Sequence, residues 1–246
     1  MDLENKKFFI FDLDGVLVDS TRLSCQKVEM ILDRLGLPTI PRSFLIKHWG
    51  KKMSDIFDLI GEVLDASKDQ ISLMNKMEPE ISLELPYKFP RETFEALLNL
   101  RLYDRYLGLL TSRSNASLQQ VSSQTGMPLT VFHKIQTTDH WPHHKPSGRA
   151  FGPFANWAYA QKLKPERLVY FGDTISQDLV ATQNYEYPID FVGVVSGVNT
   201  REEFLAAGVP DCRIVDFEKL PEFLHQIMRT AKSWTSENFQ TSSIRL

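Results

Sequence analysis

Three observations predict an α/β fold for this chain: a Rossmann-like parallel sheet with helices on both faces, interrupted by an inserted helical domain. Short apolar runs alternate with longer stretches of helical period. The runs are unbroken, as strands buried on both faces of a parallel sheet are, rather than alternating between polar and apolar. Each run ends in polar residues, and open parallel sheets place their ligands at the carboxyl ends of their strands.

The elements follow in order. FFIF is the first predicted strand and leads into Asp12. From about Ser20 to Tyr87 the pattern changes, since VEMILDRLG, MSDIFDLIGEVL and ISLMNKM carry helical periodicity and nothing there reads as a strand. LPYKFP is the return linker, because Pro86 and Pro90 oppose a continuing helix. A helix over 91–104 precedes the strand LGLL, which ends at Thr111, and a helix over 114–125 follows. A helix over 148–163 leads to LVYF and Gly172-Asp173, then a helix over 175–184, then FVGVV ending at Ser196-Gly197. Helices over 200–207 and 218–230 complete the pattern. The expected domains are residues 1–19 with 88–231 for the sheet and 20–87 for the helical insertion. Residues 232–246, polar and aperiodic, form a frayed or loosely docked tail.

Bulk properties narrow the field. The chain has 246 residues, 42% of them hydrophobic and 24% charged, enough for a substantial core in one large domain or two smaller ones. A net charge of −3 carries no electrostatic footprint of nucleic acid or an anionic membrane. The apolar runs are too short to span a bilayer, and MDLENKKFFIF does not read as a signal peptide. Cys25 and Cys212 lack metal or redox spacing, so free thiols in the cytoplasm are expected.

The strand ends carry the chemistry. Burying an unpaired carboxylate costs several kcal/mol, and DLD puts two of them two residues apart. Residues two apart on an extended chain point the same way, so Asp12 and Asp14 can border one pocket, and Gly15 lets the backbone turn away. Mg²⁺ suits such a pair because it takes one or two carboxylates and leaves positions for water and phosphate oxygens. An aspartate beside a phosphate can also attack phosphorus. The alternative is a capped turn with solvated acids. Thr111 and Ser112, just before a helix, offer hydroxyl and amide donors to an anion, or only cap that helix. Lys145 would offset the acids and hold a phosphoryl oxygen, or be simply solvated. Asp173, after a buried strand and a glycine, can complete a metal shell, and Asp178 can reach a metal-bound water or Lys145. His140, His143 and His144 lack a metal-ligand spacing and are expected as exposed loop residues.

With DLDGVLVDS, the Thr of LLTS, the Lys of HKP and GDTISQD in that order, the chain resembles the haloacid dehalogenase superfamily over nearly all of residues 7–230. It is most similar to the phosphatase-like branch with a helical cap, which includes phosphoglycolate phosphatases and beta-phosphoglucomutases. The resemblance implies that Asp12 is nucleophile and Mg²⁺ ligand, and that Asp14 is the general acid/base and a ligand through its carbonyl. It implies that Thr111 and Ser112 hold phosphate, that Lys145 steadies the phosphoryl group and Asp12, and that Asp173 ligates Mg²⁺ with Asp178 in support. The insertion would be the cap that closes over the site and excludes water. Two departures stand out: four residues separate Asp173 from Asp178, and ATQNYEY replaces the small-residue run usual after them. Asp14 also separates the chain from the metal-independent dehalogenases of the superfamily.

The implied activity is Mg²⁺-dependent hydrolysis of a small phosphorylated metabolite, such as 2-phosphoglycolate or a sugar phosphate, through an aspartyl-phosphate. One rival is a phosphosugar mutase, but KHWGKKMSD stands where mutase relatives carry a Ser-Arg pair. The other is a non-catalytic binding module, against which every acid and the lysine are present. Lys51, in KHWGKK, and Arg113 would favour a substrate with a second anion; a solvated basic loop is the alternative reading.

Overall fold

The computed structural model describes residues 3–48 and 53–229. Lys51 and the tail at 232–246 therefore lie outside the described residues. The chain divides into two compact units, Met1–Asp19 with Phe89–Leu246, and Ser20–Lys88.

The smaller unit is helical: α1 (Ser20–Arg34), α2 (Arg42–Lys47), α3 (Met53–Leu64) and α4 (Lys68–Glu84). Apolar residues at helical spacing, among them Val28, Ile31 and Leu32 of α1, Phe57 and Ile60 of α3, and Met74 and Ile81 of α4, form its own core. A reciprocal cap starts α4, where Gln70 N–H donates to Ser67 Oγ and Ser67 N–H donates to Gln70 Oε1.

The larger unit is a six-stranded parallel sheet. Its strands are β1 (Phe8–Phe11), β2 (Tyr106–Leu110), β3 (Lys134–Gln136), β4 (Leu168–Gly172), β5 (Asp190–Val195) and β6 (Ile214–Asp216), in the order β3-β2-β1-β4-β5-β6. Its helices are α5 (Arg91–Leu102), α6 (Asn115–Thr125), α7 (Gly152–Ala160), α8 (Val180–Gln183) and α9 (Arg201–Ala206), and residues 220–229 are also helical. Phe8, Ile10 and Tyr170 pack with Phe151, Phe154, Phe191 and Phe204 in one core cluster. Phe9 and Phe11 each stack on Phe171, with Phe223 at the edge of Phe171. Alternate residues of β1 and β4 thus enter two apolar layers, which is why these strands read as unbroken apolar runs. Among the described residues no helix is long and apolar enough to cross a membrane.

The structure departs from the expected elements in three places. The edge strands β3 and β6 have three residues each, too few to register as a pattern. The expected helix over 148–163 begins as a 3₁₀ turn, Gly148–Phe151, and becomes α-helical only at Gly152. The expected helix over 175–184 opens with a π-turn, Ile175–Leu179. That turn has a consequence at the end of β4.

Candidate active site

β1 is flanked by β2 and β4, so the chain order along the sheet reverses beside it, and open α/β sheets bind ligands at the carboxyl ends of the strands at such a point. The register pairs Phe11 with Phe171, and Asp12 N–H donates to the Phe171 carbonyl at 2.9 Å. The sheet ladder therefore brings Asp12 level with the end of β4. Asp12 Oδ1 accepts from Leu13 N–H at 2.8 Å, and Oδ2 lies 2.9 Å from Lys145 Nζ. Burial raises the Asp12 carboxyl to about 7; Lys145 opposes the rise, while Asp178 and Asp14 add to it.

Lys145 is a fixed cation, with 4% of its side chain exposed. Its Nζ donates to Asp178 Oδ1 at 2.7 Å and to the Tyr170 hydroxyl at 3.1 Å. Burial alone would lower its pKa, but Asp12 and Asp178 outweigh burial and hold it above the ordinary lysine value. Asp178 is fully buried and fully engaged. Its Oδ1 also accepts from the Tyr170 hydroxyl at 2.7 Å, and Oδ2 accepts from the amides of Asp173 and Thr174 and from Thr174 Oγ1. Burial pushes its pKa up, yet Lys145 and these donors hold it below the usual carboxylate value. The π-turn makes this possible: the amides of Asp178 and Leu179 both reach the Thr174 carbonyl, turning Asp178 back beneath the strand end. Gly172 provides the room, since a Cβ there would lie 2.6 Å from Asp178 Cγ.

Asp173 is buried and accepts from Ser196 Oγ at 2.8 Å. Burial, then Asp178 and Asp12, raise its carboxyl well above the usual range. One carboxylate oxygen from each of Asp12, Asp173 and Asp178 falls within 4.8 Å of the others. Three buried acids gathered around one lysine leave a surplus of negative charge. Hard oxygen donors with that surplus suit Mg²⁺. Asp178 is already committed to Lys145 and its other donors, so the oxygens best placed for a cation are those of Asp12 and Asp173.

The carboxylate of Asp14 lies outside this group and is held by Arg113 in a two-pronged pair. Nε–H donates to Oδ2 and Nη2–H to Oδ1, both at 2.7 Å, while Nη1–H donates to Ser117 Oγ on α6 at 3.0 Å. Thr111 is buried at the end of β2, and its Oγ1 accepts from Arg113 N–H at 3.1 Å. Ser112 is exposed beside it, and Ser114 caps α6 by accepting from Ser117 N–H. His140 pairs with Thr137 Oγ1 at 3.2 Å, and among the described residues no metal-ligand cluster includes a histidine. The carboxylate group is also distinct from a cleft of about 610 Å³ lined by Trp141, Arg149, Tyr159 and Tyr187.

Two participants, Tyr170 and Thr174, are absent from the sequence reading, and Ser196 figures there only as a strand end. Tyr170 carries the one hydroxyl in LVYF, and a buried tyrosine hydroxyl needs a partner, which is the signal that points to it.

Gly15 lies against Asp173 and Ser196 from the β1 side. Its φ is +73°, and a Cβ there would overlap the Asp173 carboxylate and lie 2.7 Å from Ser196 Oγ. Gly36 has a similar φ of +64° but open space around it. Gly15→Ala is therefore expected to destabilise the protein by about 2–4 kcal/mol, joining left-handed strain to overpacking. Gly36→Ala carries the strain alone, about 1–2 kcal/mol. Urea unfolding of both variants measures the difference, and equal losses would refute the clash with Asp173.

Residues 9–194 match the haloacid dehalogenase-like hydrolase family. No curated protein matches the chain. Among solved structures, a haloacid dehalogenase family hydrolase from Deinococcus radiodurans R1, with bound phosphate and sodium, is 16% identical with a TM-score of 0.72, over 91% of this chain and 97% of that one. A protein assigned as a beta-phosphoglucomutase from Thermotoga maritima is 20% identical with a TM-score of 0.66, over 89% and 99%. A predicted phosphoglycolate phosphatase from Haemophilus somnus 129PT is 20% identical with a TM-score of 0.64, over 89% and 97%. Likeness at these identities establishes the fold.

Proposed function

The chain belongs to the haloacid dehalogenase-like hydrolase family, and from that membership we propose that it is a Mg²⁺-dependent phosphomonoester hydrolase acting on a small phosphorylated metabolite. The observation that carries the reading is the meeting of Asp12, Lys145 and Asp173 at the carboxyl ends of β1 and β4. The phosphate bound in the Deinococcus radiodurans structure is consistent with it.

Asp12 is the nucleophile. Its carboxylate is the one at the end of the central strand, fixed by Leu13 N–H and Lys145. A carboxylate oxygen attacks phosphorus, the bond from phosphorus to the ester oxygen breaks, and the leaving oxygen takes a proton from Asp14. Asp14 then accepts a proton from water, whose oxygen attacks the phosphorus of the aspartyl-phosphate and releases inorganic phosphate and free Asp12. Lys145 neutralises charge on the transferring group and on Asp12. Thr111 and Ser112 hold the phosphate oxygens. Asp173 and Asp12 would hold Mg²⁺, while Asp178 positions Lys145. When bound there, Mg²⁺ would supply positive charge to keep Asp12 ionised and to offset the negative charge of the phosphoryl group. The smaller unit is the cap in this reading, and the free thiols Cys25 and Cys212 fit a reducing cytoplasm.

Chelation tests the metal. EDTA is expected to stop phosphate release, Mg²⁺ to restore it and Ca²⁺ to fail, because the larger ion takes more ligands and misplaces the nucleophile. Undiminished release after exhaustive chelation would rule the metal out. The likeness to the Thermotoga maritima protein keeps a mutase in view. Phosphate release without a bisphosphate activator decides for the hydrolase.

A further inference from the structure

We propose that Arg113 is a latch on Asp14 that a second anion on the substrate releases, so that Arg113 selects phosphomonoesters carrying such a group. The inference rests on the hydrolase reading for the role of Asp14, and Arg113 acts through Asp14 as a positioning residue.

The latch is visible in three hydrogen bonds. Arg113 gives one N–H to each oxygen of Asp14 at 2.7 Å, the planar two-bond match of guanidinium to carboxylate. Its remaining nitrogen donates to Ser117 Oγ at 3.0 Å, tying the guanidinium to the first turn of α6. Both side chains of the pair are only about one-quarter exposed. An Asp14 held this way cannot serve a leaving group, because both of its oxygens already take an N–H beside a fixed positive charge. The pair must open before the reaction proceeds.

A substrate bearing only a phosphate must open the pair and leave the guanidinium without its carboxylate. A substrate bearing a second anion exchanges one carboxylate for another at the same fork. Arg113 directly follows the Thr111–Ser112 pair that is to hold the phosphate, so an anion that displaces Asp14 would belong to the same small molecule. Ser117 keeps the guanidinium in place when Asp14 leaves, so Asp14 moves and Arg113 stays. Discrimination arises because only the two-anion substrate frees the acid/base as it binds.

Kinetics with two probes test the latch: 4-nitrophenyl phosphate, with one anionic group, and 2-phosphoglycolate, with a phosphate and a carboxylate. Arg113→Gln is expected to raise kcat several-fold on the first and lower kcat/KM about tenfold or more on the second, mainly through KM. Arg113→Lys, which keeps the charge and loses the fork, should recover part of the KM for 2-phosphoglycolate. Losses in the same proportion on both probes would overturn the latch. A second readout needs no turnover. In the Mg²⁺-loaded Asp12→Asn protein, the Arg113 Nε–H resonance, assigned by its loss in Arg113→Lys, should shift with saturating 2-phosphoglycolate and stay in place with inorganic phosphate. An unmoved resonance with both ligands overturns the latch whatever the kinetics. A resonance that shifts while the parent protein releases phosphate from no ester leaves the latch standing and removes the hydrolase reading.

Discussion

Asp12→Asn is expected to lower phosphate release by at least about 10⁴-fold, because a single change removes the nucleophile of the proposed reaction. Folding should survive it. The amide is isosteric, and its oxygen can still accept from Leu13 N–H, as Oδ1 does now. Charge also favours the variant. Burial raises the Asp12 carboxyl to about 7, so folding disfavours its ionised form. An acid whose pKa is raised by folding takes stability away as pH climbs from the ordinary carboxylate value toward the folded one. The substituted amide does not titrate, so in metal-free buffer at pH 8 the variant should be at least as stable as the parent. Phosphate assays alongside thermal unfolding measure both halves. Near-parental phosphate release would remove Asp12 as nucleophile, and an unfolded variant would refute the account of its burial.

Lys145→Met carries the largest expected cost in stability. Its ammonium is the cation shared by Asp12 and Asp178, with side chains 4%, 9% and 0% exposed respectively. Removing one partner of a buried ion pair costs about 3–5 kcal/mol, chiefly because the other is left charged and alone. Two carboxylates lose their partner here, along with a donor for the Tyr170 hydroxyl. Without Lys145, the folded-state pKa of Asp12 would rise further above its unfolded value, and that of Asp178, now held below the usual carboxylate value by Lys145, would rise as well. The deficit should therefore grow as pH rises and shrink at pH 5, where protonation removes the orphaned charge. Urea unfolding at pH 5 and pH 8 checks the sign. A second change, Asp178→Asn, should recover part of the loss at pH 8, and an additive further loss would mean that the two residues are not coupled.

Much of this arrangement is legible in the sequence for a simple reason. β1, β2, β4 and β5 are buried on both faces, so their apolar runs are unbroken, and the change to charge at Asp12 or Asp173 is abrupt. The three-residue strands β3 and β6 leave no such trace, because KIQ and IVD are too short to separate from loop. The π-turn at Ile175–Leu179 reads as helix because one wider turn barely disturbs an apolar period. Its effect is spatial, carrying Asp178 into contact with Lys145. The Asp14–Arg113 pair joins residues 99 positions apart. From sequence Arg113 reads as a solvated cation or one awaiting a substrate, and only the side-by-side pairing of β1 and β2 shows that it already holds an aspartate.

The central place of β1 in the sheet has a consequence for biosynthesis. Phe11 leaves the ribosome well before its partners, yet it pairs with Leu109 of β2 and Phe171 of β4. At about 5–20 residues per second, the β4 partner follows on the order of ten seconds or more after β1. Throughout that interval FFIF is a nascent apolar segment without its sheet neighbours, the kind of sequence that chaperones bind and that aggregates when synthesis is fast. The helices α1, α3 and α4 pack on one another within the smaller unit and can condense meanwhile, so folding of the sheet waits on the chain's second half. Slowing elongation or supplying a holdase should therefore raise the soluble yield more than lengthening the growth period does.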